Sequence, residues 1–298
     1  MEDSSLEFQQ AVSTVSQALT QVSTLNTDPI ESGEINKTSE LESPAFIAKS
    51  IFISWNGVLC LIFDGFPHPL EELKKCLNAT CSQLEYKSEN FGSQWAKVTL
   101  AGVRDPSETN SATPDPLTFD EFRRLKKICK ECSVPFYSST EMNERKDASK
   151  KLVPVKAISV VEYEWRSLEK LSQVAHMNIS LRNAVGSTSD YSSSSPLSMQ
   201  VSPQQQRKAR SVLSEWDEEE SYLSNVNAKG APYRPKNSNT GSSSPIGLTC
   251  VSFLDLKSCP VIWECITTLK SRVDEEFPGR YDWFDESSLH CTIRAMDK

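Results

Sequence analysis

The sequence has few glycines and lacks the glycine-rich loops that hold nucleotide phosphates. Its 298 residues include ten glycines, and none are arranged as G-x-G-x-x-G or G-x-x-x-x-G-K-[ST]. Those loops need glycine where the backbone turns sharply or approaches a pyrophosphate closely. Dinucleotide-binding and Walker-type phosphate sites are therefore not expected.

Long apolar runs are missing as well. No segment approaches the roughly 20 apolar residues that cross a bilayer. The N-terminus, Met-Glu-Asp-Ser-Ser, lacks the basic and apolar regions of a secretory signal. We therefore expect no membrane association, a cytosolic or nuclear location, and reduced thiols at all nine cysteines.

Positive charge is scarcer than negative charge. The chain has 32 Lys+Arg and 40 Asp+Glu, a formal net charge of −8. This balance argues against non-specific binding to a nucleic-acid backbone, although a local basic groove remains compatible with it. Hydrophobic residues make up 38% of the chain, which is low for the two domains that the length suggests, so we expect some of it to be unfolded.

Composition divides the chain into two ordered and two disordered parts. Residues 45–165 and 246–298 are predicted to be folded and together match one ordinary domain. Residues 1–44 are predicted to be a disordered tail with a short amphipathic helix, and residues 166–245 a disordered serine-rich insert. The helix is indicated by an apolar stripe: Phe8, Val12, Val15, Leu19 and Val22. Both disordered segments are candidate sites for protein partners.

Within the ordered parts, hydrophobic periodicity predicts helices between strands. The dipeptide Asn56-Gly57 separates two apolar runs and predicts a β-hairpin, since both residues accept positive φ. Helices are predicted from Pro69, over Leu117–Cys132 and over Pro260–Phe277; strands are predicted at about Trp95–Val103, Val153–Trp165, Gly247–Leu256 and Leu289–Met296. This order favours an α/β or α+β sandwich whose helices cover a curved sheet.

Two of these strands carry candidate site residues. Alternate side chains share one face of a strand. Lys97 and Thr99 therefore share a face of the first strand, and His290, Thr292 and Arg294 share a face of the last. If the strands are neighbours, the five side chains form a cluster of cations and hydroxyls without a carboxylate. Such a cluster suits a phosphate, and a partly exposed sheet face is the alternative.

The segment His290-Cys291-Thr292-Ile293 resembles the His-x-Thr-hydrophobic signature of the 2H phosphoesterase superfamily. This superfamily includes LigT-like RNA ligases and cyclic nucleotide phosphodiesterases, and the chain looks most like plant proteins labelled RNA ligase/cyclic nucleotide phosphodiesterase family. The resemblance covers most of residues 50–165 and 246–298 and places a first signature at the Lys97–Leu100 strand.

The resemblance implies a bilobal fold of two similar halves around a central groove, with one signature strand from each half. It implies two histidines that act as general base and general acid on a 2′,3′-cyclic or related phosphodiester. Neither a metal nor a nucleotide cofactor is required, and threonine hydroxyls hold the phosphate. Carried over, His290 matches the second histidine, Thr292 the second threonine and Thr99 the first threonine. The expected ligand is a cyclic nucleotide or an RNA terminus.

Lys97 departs from the family pattern because it stands where the first histidine belongs. Lysine is a poor base at neutral pH unless burial or nearby cations depress its pKa. Two hypotheses follow: a phosphodiesterase with reduced acid–base power, or a non-catalytic module that binds phosphate or RNA and recruits partners through its disordered segments. A scaffold that works only through those segments is a third.

Two further motifs have competing interpretations. The acidic and aromatic segment Asp282–Glu286 precedes the last strand, so it is either a lid in which Trp283 or Phe284 stacks on a base or an ordinarily packed loop. Cys129 and Cys132 have the spacing of a metal or redox pair. They lie on an apolar helix stripe without a second such pair, so we expect core packing.

Overall fold

The computed structural model describes residues 2–25, 44–84, 86–89, 93–104, 116–137, 151–178, 200–228, 233 and 247–296. Nine strands lie in these ranges: β1 (Ala45–Ile53), β2 (Leu59–Phe63), β3 (Lys97–Val103), β4 (Leu152–Pro154), β5 (Ala157–Tyr163), β6 (Leu171–Asn178), β7 (Gly247–Phe253), β8 (Tyr281–Trp283) and β9 (His290–Ala295). Seven α-helices lie there too: α1 (Glu2–Leu25), α2 (His68–Gln83), α3 (Phe119–Cys132), α4 (Val134–Tyr137), α5 (Pro203–Asp217), α6 (Glu219–Val226) and α7 (Pro260–Glu276).

One sheet contains all nine strands. Eight of them follow the order β4-β1-β2-β3-β9-β7-β5-β6, and β8 pairs with the end of β3. Every strand pair is antiparallel. The mixed α and β class is therefore confirmed. β3 and β9, which carry the candidate residues, are neighbours at the centre of this order.

The predicted hairpin is confirmed between β1 and β2. Ile53 pairs with Leu59 across the turn. Asn56 and Gly57 adopt φ values of +62° and +71°, which only small or turn-forming residues accept readily. A Cβ on Gly57 would also lie 3.0 Å from a methyl carbon of Val103, so close packing against β3 adds to the demand for glycine.

The predicted helices that flank the strands are confirmed, with small differences at their ends. α2 buries Leu70, Leu73, Leu77 and Cys81, and α7 buries Ile262, Cys265, Ile266, Leu269 and Val273. Thr118 begins α3 with a capping box to Glu121, which satisfies two backbone donors. The predicted strand Val153–Trp165 is two strands, because β4 pairs with β1 while β5 pairs with β6 and β7.

The amphipathic helix predicted in the N-terminal tail is confirmed, whereas the disorder predicted around it is wrong for residues 2–25. They form α1, and every third or fourth residue along one face is buried: Phe8, Ala11, Val15, Ala18 and Val22. Their partners are α2, β5 and β6. The serines and threonines of this helix favour helix weakly, but burial of an apolar face stabilises a helix more than propensity does. Residues 26–43 lie outside the described residues.

The disordered insert is likewise contradicted where the structure describes it. Residues 166–245 contain β6, α5 and α6. The two helices bury a stripe that the polar composition obscured: Ala209, Val212, Trp216, Tyr222 and Val226. Lys126 of α3 is buried and donates to the carbonyl of Trp216 at 2.9 Å, as suits a cation at a helix C-terminus. Residues 179–199, 229–232 and 234–246 lie outside the described residues, so disorder there stays a prediction.

Among the helices that the structure describes, none is both long enough and apolar enough to cross a bilayer. α1 has 24 residues, but most of its positions outside the apolar stripe are serine, threonine, glutamine and glutamate.

Candidate phosphate site on β3 and β9

Four of the predicted site residues share one face of the sheet, which we call the motif face: Lys97, Thr99, His290 and Thr292. Val98 pairs directly with Cys291. Continuing this antiparallel register places Thr99 opposite His290 and Lys97 opposite Thr292. All four side chains are partly exposed, whereas Val98 and Cys291 between them are buried on the opposite face. The predicted juxtaposition of the two tripeptides is therefore present.

Both motif strands contain one extra residue directly after the threonine. In β3, Cys60 and Leu59 of β2 pair with Thr99 and Ala101, which leaves Leu100 as an extra residue. In β9, Val251 and Cys250 of β7 pair with Thr292 and Arg294, which leaves Ile293 as an extra residue. A β-bulge of this kind bends the strand and reverses the inside–outside alternation beyond it.

The bulge in β9 separates Arg294 from the other candidates, contrary to the sequence prediction. Thr292 pairs with Val251, but Arg294 pairs with the next residue, Cys250, and so points to the opposite face. Arg294 is 3% exposed and donates from Nη2 to the carbonyl of Lys87 at 2.6 Å. The prediction depends on strict alternation of side chains along β9, and the extra residue interrupts that alternation.

A buried lysine supports this bulge from the opposite face. Lys74 of α2 donates to the carbonyl oxygen of Ile293 at 2.5 Å and to that of Ser93 at 2.8 Å. It also forms an ion pair with Glu89. Since a bulge interrupts the ladder of strand hydrogen bonds, a cationic donor that reaches the extra residue's carbonyl helps to hold the bulge in place.

Trp283 also lies away from the four residues. It is therefore not placed to bind a ligand at the motif face, contrary to the sequence prediction. Trp283 belongs to β8 and pairs with Ala101, which the bulge at Leu100 turns to the opposite face. Its indole nitrogen donates to Asp274 of α7 at 2.8 Å. The predicted lid is therefore a short strand at this point, paired with the end of β3. Phe284, the other aromatic candidate, lies beside Gly102.

The environment of His290 leaves its imidazole neutral at pH 7. Its Nδ1 lies 2.8 Å from the carbonyl oxygen of Ser288. A carbonyl only accepts, so Nδ1 carries the proton and Nε2 keeps its lone pair. Burial lowers the pKa of His290 to about 4; the Lys97 ammonium acts in the same direction and the Ser288 carbonyl against it. The imidazole is thus held in the form of a base.

The side-chain nitrogen of Lys97 lies against an aromatic ring. Its Nζ lies 4.3 Å from the ring centroid of Trp95, within the range of cation–π attraction. Burial lowers the pKa of Lys97, and the Cys60 and Cys291 thiols act against this shift. A lysine with a lowered pKa gives up its proton more readily than an exposed one.

Several residues near the motif face were not predicted from the sequence. Phe253 pairs with His290, and their ring centroids lie 6.3 Å apart. Cys60 pairs with Thr99, and its sulfur lies 3.7 Å from the threonine hydroxyl oxygen. Strand periodicity gives the face of each of these residues, but only the strand order makes them neighbours. Tyr233, from the insert, lies near this face without any periodic signal around it.

Cys129 and Cys132 pack as predicted in the core. Both are buried on the inner side of α3, and burial raises the pKa of both thiols. In the parts of the chain that the structure describes, histidine, cysteine and carboxylate side chains form no group of three or more suited to a metal ion.

Comparisons with known proteins give no relative for this chain. No protein-family model, curated protein or solved structure matches it. The likeness of His290–Ile293 to the 2H signature therefore stays a prediction.

Proposed function

We propose that this chain is a metal-independent phosphoesterase of the 2H type that acts on a 2′,3′-cyclic phosphate or a related phosphodiester of an RNA end. The observation that carries this proposal is the meeting of Lys97, Thr99, His290 and Thr292 on one partly exposed face. Diagonal neighbours on antiparallel strands lie about 7–8 Å apart, so a phosphate fits between the side chains of Lys97 and His290.

The two halves of the sheet support the proposed bilobal arrangement. β2, α2 and β3 follow one another along the chain, and β7, α7 and β9 repeat the same order apart from the short β8. Four strands lie on each side of the β3–β9 boundary. The matching bulges at Leu100 and Ile293 relate Lys97 to His290 and Thr99 to Thr292. This internal repetition is what a fold with one signature strand per half would produce.

The proposed reaction assigns different roles to the two nitrogen groups. Nε2 of neutral His290 takes a proton from water as the water oxygen forms a bond to phosphorus. The bond from phosphorus to one ribose oxygen breaks, and that oxygen takes a proton from the Lys97 ammonium. Water is consumed, a phosphate monoester and a free hydroxyl are produced, and solvent restores both protonation states.

Anion binding is assigned to the same four side chains. Lys97 supplies the positive charge, and the hydroxyls of Thr99 and Thr292 supply hydrogen-bond donors. The four contain no carboxylate, which would repel a phosphate. Because an ammonium is a weaker acid than an imidazolium, lysine at position 97 makes the proposed enzyme slower than one with histidine there.

A second candidate, a non-catalytic phosphate- or RNA-binding module, is favoured by the same lysine. A fixed ammonium binds a phosphate well without transferring a proton. In this case anion binding depends on Lys97 and the threonines, while turnover is absent.

Hydrolysis of adenosine 2′,3′-cyclic phosphate in the presence of EDTA tests the proposal. We expect turnover by the full chain and a loss of at least about 100-fold in His290→Ala, since a general base contributes that much or more. His68→Ala, at the start of α2, is the matched control and should keep full activity. Turnover that matches the His290→Ala background, across nucleoside cyclic phosphates and oligonucleotides, would exclude catalysis.

A further inference from the structure

The motif face continues beyond His290 across the next three strands of the sheet. Phe253 of β7 pairs directly with His290, and Val251, two residues earlier on β7, pairs with Ser159 of β5. Ser159 pairs in turn with His176 of β6. Directly paired residues on neighbouring strands point to the same side of a sheet. Phe253 and His176 therefore lie on the side that carries the four candidate residues.

Three aromatic rings form a row on this side of the sheet. The ring centroid of Phe253 lies 6.3 Å from that of His290 and 6.4 Å from that of His176. Each imidazole is inclined by 66° to the phenyl plane, so neither imidazole stacks flat on the phenyl ring. Phe253 is partly exposed and His176 is exposed. The phenyl ring therefore offers a surface to a flat group that lies between the two histidines.

The phenyl ring is held in place by packing on one side. Phe253 contacts a small buried cluster that contains Val161, Leu168 and Val251. Both valines are fully buried, so the motif face is closed at the end that they form. It is open at the other end, where Phe253 and His176 lie, and this open end adjoins His290.

Ser159 orients the imidazole of His176. The serine hydroxyl is buried and lies 2.7 Å from Nδ1 of His176. A buried hydroxyl needs an acceptor for its proton, and among the described residues the structure gives it only Nδ1. We therefore assign the serine as the donor, which leaves the proton of the neutral imidazole on Nε2. His290 has the opposite arrangement, with its lone pair on Nε2.

We propose that Phe253 and His176 form a nucleobase subsite beside the candidate phosphate site. The base stacks on the phenyl ring, as bases do on aromatic side chains of proteins that bind single-stranded nucleic acid. A ring nitrogen or carbonyl oxygen of the base accepts a hydrogen bond from Nε2 of His176. This inference rests on the proposed function and makes it more specific: the substrate is a nucleotide or the terminal nucleotide of an RNA, and not a phosphodiester without a base.

Calorimetric titration with two probes tests the subsite: adenosine 2′-monophosphate, which has a base, and inorganic phosphate, which has none. Phe253→Leu keeps an apolar side chain against Val161 and Val251 and removes the ring, so we expect about tenfold weaker binding of the nucleotide, as for the loss of one base stack. His176→Ala removes a hydrogen-bond donor, and we expect about fivefold weaker binding of the nucleotide. Neither variant should change the binding of inorganic phosphate.

Val174→Ala is the matched control for both variants. Val174 lies two residues before His176 on the same face of β6, is 44% exposed and pairs with Val161, outside the proposed subsite. Both probes should bind to this variant as they bind to the wild type. Equal losses for the two probes in Phe253→Leu would show a packing effect, and unchanged nucleotide binding by Phe253→Leu or His176→Ala would show that no base contacts that residue; either result overturns the subsite.

The two probes also separate this inference from the proposed function. If the wild type binds inorganic phosphate as tightly as the nucleotide and still hydrolyses the cyclic phosphate, only the base subsite fails. If the wild type binds neither probe and hydrolyses no cyclic phosphate, the proposed function fails and the subsite fails with it.

Discussion

β3 and β9 share their local structure and differ in one functional group. Each has a threonine two residues after its nitrogen side chain and a bulge directly after that threonine. β9 carries His290, which is a base at neutral pH because burial lowers its pKa to about 4. β3 carries Lys97, whose pKa is lowered by burial. Under the proposed function, the features that both strands share bind the anion, and the difference between them separates the base from the acid.

Reversing the charge on β3 should have the largest effect. Lys97→Glu places a carboxylate beside the proposed phosphate, so we expect binding of adenosine 2′-monophosphate to weaken by at least about 100-fold, as for the loss of a charged hydrogen bond. Lys270→Glu, on the exposed side of α7, is the control for net charge. Equal binding by wild type and Lys97→Glu would mean that the anion does not bind at this face.

Giving both strands the same nitrogen group should have a smaller effect. Turnover should rise when both strands carry histidine and fall when both carry lysine. Lys97→His supplies an imidazolium, a stronger acid than lysine, and should raise kcat/KM for the cyclic phosphate about tenfold at pH 6. His290→Lys makes both strands cationic, removes the base and should abolish turnover while phosphate binding persists. Loss of activity in Lys97→His would show that the ammonium itself is required and that the two strands are not functionally interchangeable.

The electrostatic link between the strands should appear as a modest shift in a titration. Lys97 lowers the pKa of His290, so Lys97→Met should move the NMR titration of the His290 ring upward from about 4. The sequence has three histidines, and the signals of His68 and His176 are internal references. An unchanged or lower pKa of His290 would mean that the two side chains do not interact.

Local patterns predicted the elements that have strong local signals. The Leu70, Leu73 and Leu77 stripe predicted α2, and Asn56-Gly57 predicted the hairpin, because each feature depends on neighbours in the chain. The apolar stripe of residues 8–22 likewise predicted the helix in the tail, whereas the order of the polar insert was missed for the opposite reason. Trp216 of α5 packs against Phe52 of β1, with ring centroids 6.1 Å apart, and a partner so distant in the sequence leaves no local trace.

The candidate site was predicted in part. Alternation along each strand gave the shared face of Lys97 with Thr99 and of His290 with Thr292. It failed at Arg294, because a single extra residue, Ile293, turns that side chain to the other face. A bulge depends on the pairing of two strands, so one strand's sequence does not reveal it.

The sequence by itself determined which chemical groups lie on each strand: a lysine or histidine and a threonine two residues later, because side-chain alternation is a property of the backbone. Only the tertiary structure decided that β3 and β9 are neighbours, that Arg294 and Trp283 turn away, and that Tyr233 packs beside Gly102. Those facts depend on strand pairing and on packing between residues far apart in the chain, where burial and hydrogen bonding offset the entropy of ordering the backbone.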